Sequence, residues 1–241
     1  MKTINCFIPY ADAQQVQATV DGLRQNALVT KIFLLATDAN AAAVEGCEVI
    51  NIDALNSSAT MKKIAAAAEG DFTLFYTKYN NLVMGYLALE RMVRLATDSK
   101  AAMVYADNYQ VVEGKKSNAP VIDYQFGSLR DDFNFGSVLF FNTKALKAAA
   151  AEIDAEYTAA GLYDLRLKVS RQGDLVHINE YLYTEVALPV ATEGESHFSY
   201  VDPKNRGVQI EMEQACTDHL KKIGGYLEPK FEEINFNQGD F

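Results

Sequence analysis

The sequence predicts a doubly wound α/β domain whose mostly parallel sheet is flanked by helices. Two observations carry this. Apolar runs of strand length alternate with amphipathic runs of about 10–15 residues through the first half of the chain, the pattern of successive βαβ units. Polar breaks separate apolar strands from the helices that follow, which is where the carboxyl edge of such a sheet lies.

The elements follow in order. Ile4 to Ile8 reads as a buried strand halted by Pro9. Asp12 can cap a helix that carries Val16, Val20 and Leu23 on one side. Lys31 to Leu35 is a second apolar strand, followed by the polar turn Ala36-Thr37-Asp38-Ala39-Asn40, and Glu48 to Ile52 is a third. Ser57 and Ser58 open an Ala-rich helix through Ala68, ended near Gly70. Phe72 to Tyr76 is a fourth strand. It runs into the polar segment Thr77-Lys78-Tyr79-Asn80-Asn81 and then a helix whose Met84, Leu87, Leu89 and Met92 recur at roughly helical spacing. A strand over Ala102 to Tyr105 ends in Ala106-Asp107.

The second half changes character. Asn108 to Leu129 is polar and strand-poor, and Asp131-Asp132 precede the aromatic strand FNFGSVLFF. A helix is expected over Ala145 to Ala160, followed by an amphipathic helix in YDLRLKVSRQGD that Gly173 ends, and a strand beginning at Val176-His177-Ile178. A last helix spans Arg206 to Ile223. The ending GGYLEPKFEEINFNQGDF has no period and reads as an extended tail or linker.

Bulk composition narrows the class. The chain has 241 residues, 49% of them hydrophobic and 22% charged, enough for one domain with a sizeable core. A net charge of −10 leaves no basic stripe for phosphate backbones, so nucleic acid is not an expected partner. No apolar run reaches the roughly 20 residues that span a bilayer, and MKTINCFIPY turns polar too soon for a secretory leader. A cytoplasmic location is the expectation. Cys6, Cys47 and Cys216 lack CxxC spacing and neighbouring His, which suits free buried thiols. His177 falls in an apolar strand as a core or edge residue, His197 and His219 are expected to be solvated, and the three form no dyad by sequence.

The order of segments resembles the family 2 glycosyltransferases. Ile4 to Tyr10 is similar to the family's opening strand with its Pro and polar or aromatic residue, and KIFLLATDAN to the second strand that holds the nucleotide base. AAAAEGDFTLFYTKYNNLVMGYLALERM resembles the region carrying a D-x-D pair between strand and helix, MVYADNY the following strand and acidic turn, and GLYDLRLKVSRQGDLVHINEYLYTE the late helix and strand. The likeness covers roughly residues 1–190. It implies a GT-A fold: a nucleotide-binding half, a smaller acceptor-side half, and a C-terminal helix plus tail. Residues 1–200 would form the GT-A-like domain and residues 201–241 the C-terminal helix and an interdomain linker, with a second transferase domain following.

The resemblance further implies transfer of a sugar from a nucleotide-diphosphate sugar to a glycan acceptor hydroxyl, in bacterial polysaccharide or glycoconjugate synthesis. Such chemistry asks for Mg²⁺ or Mn²⁺ at the diphosphate and for a carboxylate base. Here the metal-site acids are replaced by Thr77 and Tyr79 with Lys78 between them, so no metal ligand is assigned. Lys78 could pair with a diphosphate in place of the metal's charge, or be a surface-turn cation. Ala36 and Thr37 stand in the acidic places of the second turn and leave Asp38 close by. Gly161 and Leu162 stand where an acidic pair precedes YDL, leaving Asp164 as the nearest base or as a helix N-terminal acid.

Pro9, Tyr10, Asp38, Thr77, Lys78, Tyr79 and Asp107 are therefore the candidate nucleotide-sugar residues, and Asp164, Asp131 and Asp132 the candidate catalytic ones. Asp131 and Asp132 could ligate a cation, act as base and orienter, or form an exposed Asx turn with Arg130. Two further classes stay open. One is a catalytically silent GT-A module that binds or scaffolds beside an active transferase. The other, a nucleotidyltransferase, is disfavoured because no Gly-rich loop follows the first strand.

Overall fold

The computed structural model describes residues 2–38, 41–188 and 206–231. In chain order the elements are β1 (Ile4–Tyr10), α1 (Ala13–Arg24), β2 (Val29–Ala36), β3 (Glu48–Asn51), α2 (Ser58–Ala67), β4 (Phe72–Tyr76), β5 (Asn81–Met84), α3 (Ala88–Ser99), β6 (Met103–Val112), β7 (Lys115–Ala119), β8 (Val138–Asn142), α4 (Thr143–Ala151), α5 (Gly161–Val169), β9 (Leu175–Val186) and α6 (Arg206–Ile223). The strands form one nine-stranded sheet in the order β3-β2-β1-β4-β8-β6-β9-β5, with β7 hanging from β6.

β1 pairs in parallel with β2 and β4, β2 with β3, and β6 with β9. β8 lies antiparallel between β4 and β6, and β5 closes the far edge antiparallel to β9. β1 and β4 are buried along their whole length, as a strand covered on both faces must be. Ile4, Cys6 and Ile8 pack with Val16, Val20 and Leu23 of α1 and Leu89 and Met92 of α3. Phe7, one pleat over, packs with Phe33, Leu35, Met61 and Ile64 of α2, Leu146 of α4 and Leu165 of α5. This is the two-faced winding that the strand–helix alternation predicts.

Local capping explains the early helices. The Asp12 carboxylate accepts from Gln15 N at 2.8 Å and the Ser57 hydroxyl from Thr60 N at 3.2 Å, satisfying first-turn donors of α1 and α2.

Several expectations are corrected. The helix placed on Met84 to Met92 begins only at Ala88; Asn81–Met84 is the strand β5, whose backbone pairs with Tyr183–Val186. Leu82 N also donates to the Thr19 hydroxyl at 2.9 Å, and Gly85 approaches Leu182 O so closely that a Cβ there would sit 2.9 Å from it. Long-range pairing thus overrides the helical spacing. The segment from Asn108 is not strand-poor: β6 runs on to Val112 and turns through Glu113 and Gly114, both at positive φ, into β7. The helix from Ala145 starts at Thr143, capped by Asn142, and stops at Ala151 instead of Ala160. Beyond it Tyr157 is drawn to the start of α2, its carbonyl accepting from Ser58 N at 2.8 Å and its N–H donating to the Ser58 hydroxyl at 3.0 Å.

The FNFGSVLFF strand is regular only from Val138, because Gly136 turns the chain at φ 73°. His219 is buried at 3% exposure, not solvated, because α6 lays it against α5. His197 and the tail from residue 232 lie outside the described residues.

Candidate functional site

The carboxyl edge of the parallel strands is laced together by side chains. The β1–α1 turn is pinned by Gln15, whose carboxamide oxygen accepts from Ala11 N at 3.1 Å while its NH₂ donates to Tyr79 O at 2.6 Å. Asn80 donates to Glu185 of β9 at 2.8 Å. Thr77 donates its N–H and its hydroxyl to Ser137 O, at 2.9 and 3.2 Å. Ser137 N in turn donates to the buried Tyr183 hydroxyl at 2.8 Å. Gly136 is required beside them, since a Cβ there would come within 2.4 Å of that hydroxyl. The segment after β4 is thus held from three sides and leaves Lys78 exposed.

Beside Lys78 opens a cavity of about 420 Å³ lined by Thr77, Lys78, Asp131, Asp132, Tyr163 and Arg166, among others. A neighbouring groove of about 650 Å³ shares Asp131, Asp132, Tyr163 and Met212 with it and is walled by α6 through Gln209, Met212 and Glu213. Four of the sequence candidates, Thr77, Lys78, Asp131 and Asp132, therefore meet at one opening. Neither Tyr76, fully buried, nor Tyr79, 41% exposed, lines it.

The two acids differ. Arg130 grips both oxygens of Asp132 at 2.8 and 2.7 Å and holds that carboxyl below the usual range despite some burial. Among the described residues Asp131 accepts only from Asp132 N, at 3.1 Å, and it remains exposed.

The other candidates lie elsewhere. Pro9 and Tyr10 are buried at the end of β1, and Asp38 is exposed at the end of β2, its carbonyl accepting from Ala41 N at 3.2 Å. Asp107 does not end a strand. It sits inside β6 where the register with β9 shifts, 2% exposed, accepting from Val121 N and from His177 Nε2, each at 2.9 Å. His177 has its other nitrogen 2.7 Å from Asp123, so the structure makes an Asp–His–Asp chain that was not visible by sequence. Asp164 is 2% exposed on α5 and paired with Lys168 one turn on; burial raises its carboxyl pKa, with Lys168 opposing. It does not line the cavity.

The donor set after β4 does not fit a hard divalent cation. The Thr77 hydroxyl is committed to Ser137, Lys78 brings positive charge, and burial pushes the Tyr79 phenol pKa up, keeping it protonated. Among the described residues no group of three or more His, Cys, Asp or Glu side chains is gathered to hold a metal ion.

Tyr163 and Arg166 are among the lining residues that the sequence reading missed. The available signal was a cation set among leucines in YDLRLK, on a helix whose neighbouring positions are core. Arg166 is 6% exposed, donates to Ser128 O at 3.4 Å and Arg130 O at 2.8 Å, and lies over the rings of Tyr163 and Phe135.

No family model and no curated protein matches the chain by sequence. Solved structures do match by shape. One is S. aureus TarS residues 1–349, with a TM-score of 0.58 at 10% identity over 76% of this chain and 60% of that one. The same protein in complex with UDP-GlcNAc gives 0.56 at 14% identity over 90% and 71%, and in complex with UDP 0.54 at 10% identity over 93% and 72%. The chain thus spans between 60% and 72% of the length of these neighbours. No helix among the described residues is long and apolar enough to cross a membrane. At these identities the likeness speaks to architecture, and with the sheet order and two-faced winding it shows that this chain has a GT-A-like fold.

Proposed function

We propose that the chain binds a nucleotide-diphosphate sugar at the carboxyl edge and passes the sugar to an acceptor hydroxyl, in polysaccharide or glycoconjugate synthesis in the bacterial cytoplasm. The observation that carries this reading is the cavity that brings Lys78, suited to a diphosphate, beside Asp131, an exposed carboxylate. It lies on a fold whose solved neighbours include complexes with UDP-GlcNAc and UDP. On this reading Pro9, Tyr10 and Asp38, at the ends of β1 and β2, would face the nucleoside, with Thr77 and Tyr79 toward the phosphates.

In the transfer, the acceptor oxygen attacks the anomeric carbon as the bond to the phosphate oxygen breaks. Asp131 takes the acceptor proton and the nucleoside diphosphate leaves with its charge facing Lys78. Asp132, tied to Arg130, orients the loop. The glycan acceptor would enter along the groove beside α6, and a second transferase domain would follow the C-terminal tail.

A second reading, a binding or scaffolding module without turnover, is favoured by Asp164. Its pairing with Lys168 removes the acid closest to the family's base position. Thermal shift with UDP, GDP and their sugars, with and without Mn²⁺, followed by assay of released nucleoside diphosphate, tests both. A shift with turnover supports transfer, and a shift without turnover across acceptors supports the module. No shift with any nucleotide rejects the nucleotide-sugar reading.

A further inference from the structure

We infer that Arg166 and Lys78 together form a metal-free clamp for the diphosphate group of the ligand, an inference that takes from the reading above only which ligand carries that group. Arg166 is buried at 6% exposure on α5, yet none of the ion pairs among the described residues includes it. Taking a guanidinium out of water without a counter-ion is costly, and an anion bound beside it would offset that cost. Burial lowers the Arg166 pKa, with Tyr163, Tyr124 and Asp131 among the groups opposing it.

Its geometry is already set. The carbonyls of Ser128 and Arg130 take hydrogen bonds from its two terminal nitrogens. The rings of Tyr163 and Phe135, 4.8 and 5.4 Å from its central carbon, hold the plane of the group. A guanidinium carries more N–H donors than two carbonyls can use, and the rest have no acceptor among the described residues, which leaves them to meet phosphate oxygens. Lys78 lines the same cavity from the segment after β4. Of the acids there, Asp132 is neutralised by Arg130, so the opening presents two cations against the single charge of Asp131. Where the resemblance implies a metal, the chain offers two fixed positive charges approaching from different elements.

The probe is inorganic pyrophosphate, titrated calorimetrically into the whole chain in EDTA, beside UDP and uridine. The expected result is one-to-one binding of pyrophosphate and UDP without metal. Arg166→Gln and Lys78→Ala should each weaken it about 30-fold or more, and Arg166→Lys, which keeps the charge but loses the fork, should fall between. Lys78 is exposed, so Lys78→Ala carries the test even if Arg166→Gln fails to fold by circular dichroism. Absent pyrophosphate binding, or binding unchanged in Lys78→Ala, overturns the clamp. UDP binding that needs Mn²⁺ and ignores both substitutions overturns it while sparing the nucleotide-sugar reading. Clamp-dependent pyrophosphate binding with no affinity for any nucleotide supports the clamp and removes that reading instead.

Discussion

The Asp107 carboxylate accepts from His177 Nε2 at 2.9 Å across the β6–β9 pair, at the point where the register between the two strands shifts. The same carboxylate oxygen accepts from Val121 N, and the Tyr105 ring stacks on the His177 ring at 5.2 Å. The carboxylate therefore ties the chain after β7 to the sheet. That chain leads on through Ser128 and Arg130 to the Asp131–Asp132 loop.

Asp107→Ala should destabilise the fold by about 2–4 kcal/mol in urea unfolding, since it strips partners from a buried N–H and a buried imidazole. Asp123→Ala removes the outer partner, whose side chain is 84% exposed, and should cost under about 1 kcal/mol. Equal costs for the two would contradict this account of the chain.

Lys168→Met should cost about 3–5 kcal/mol, because it strands the Asp164 carboxylate at 2% exposure. Adding Asp164→Leu should recover much of that loss, since a well-packed apolar pair no longer carries an unpaired charge. A double variant as unstable as the single one would show that the pair is needed for packing and not merely for mutual neutralisation.

Stability should fall on acidification through His219. Burial, with Arg171, Arg166 and Lys168 nearby, lowers its pKa from 6.5 to about 4. Between those values the unfolded chain binds a proton that the folded one refuses, so stability present above about pH 6.5 is lost progressively as pH drops to about 4. The difference between wild type and His219→Gln, measured by denaturation across this window, isolates the contribution. A flat difference would mean that α6 leaves the imidazole in water.

Glu211 on α6 accepts from the backbone N–H groups of Thr158, Ala159 and Ala160 at 3.1, 2.8 and 3.0 Å, just before α5. Burial pushes its carboxyl pKa up, but these three donors together outweigh that and lower it. Glu211→Ala should cost about 1–2 kcal/mol and raise amide exchange at residues 158–160 ahead of the sheet. Unchanged exchange there would argue that α6 is held by its apolar contacts alone.

Asp131→Asn should lower any sugar transfer by about 10²-fold or more while leaving nucleotide-sugar affinity within about threefold, as loss of a proton acceptor does. Steady-state kinetics with separate binding titrations would measure the split, and an unaffected turnover would remove Asp131 as the base.

The readable parts of this chain were those whose cause is local. Asp12 and Ser57 announce α1 and α2 because a cap needs only its own next turn, and the run Phe72–Tyr76 announces β4 because unbroken apolar character marks burial on both faces. Thr77, Lys78, Asp131 and Asp132 were visible as polar residues beside buried strands. That they line one opening was not, since the loops come from distant parts of the chain.

Sequence alone determined the alternation of strands and helices, the two-faced sheet and the polar segment Thr77-Lys78-Tyr79 that follows β4. Tertiary structure decided the rest. β5 is a strand because β9 is there to pair with it, although Met84 to Met92 keep a helical spacing. Asp164 lost its place at the site, and Arg166 gained one, through the way α5 is docked. Side chains two residues apart on a helix point about 200° apart, so the rotation of one helix against the sheet buries Asp164 together with its partner one turn on, Lys168, and turns Arg166 into the cavity.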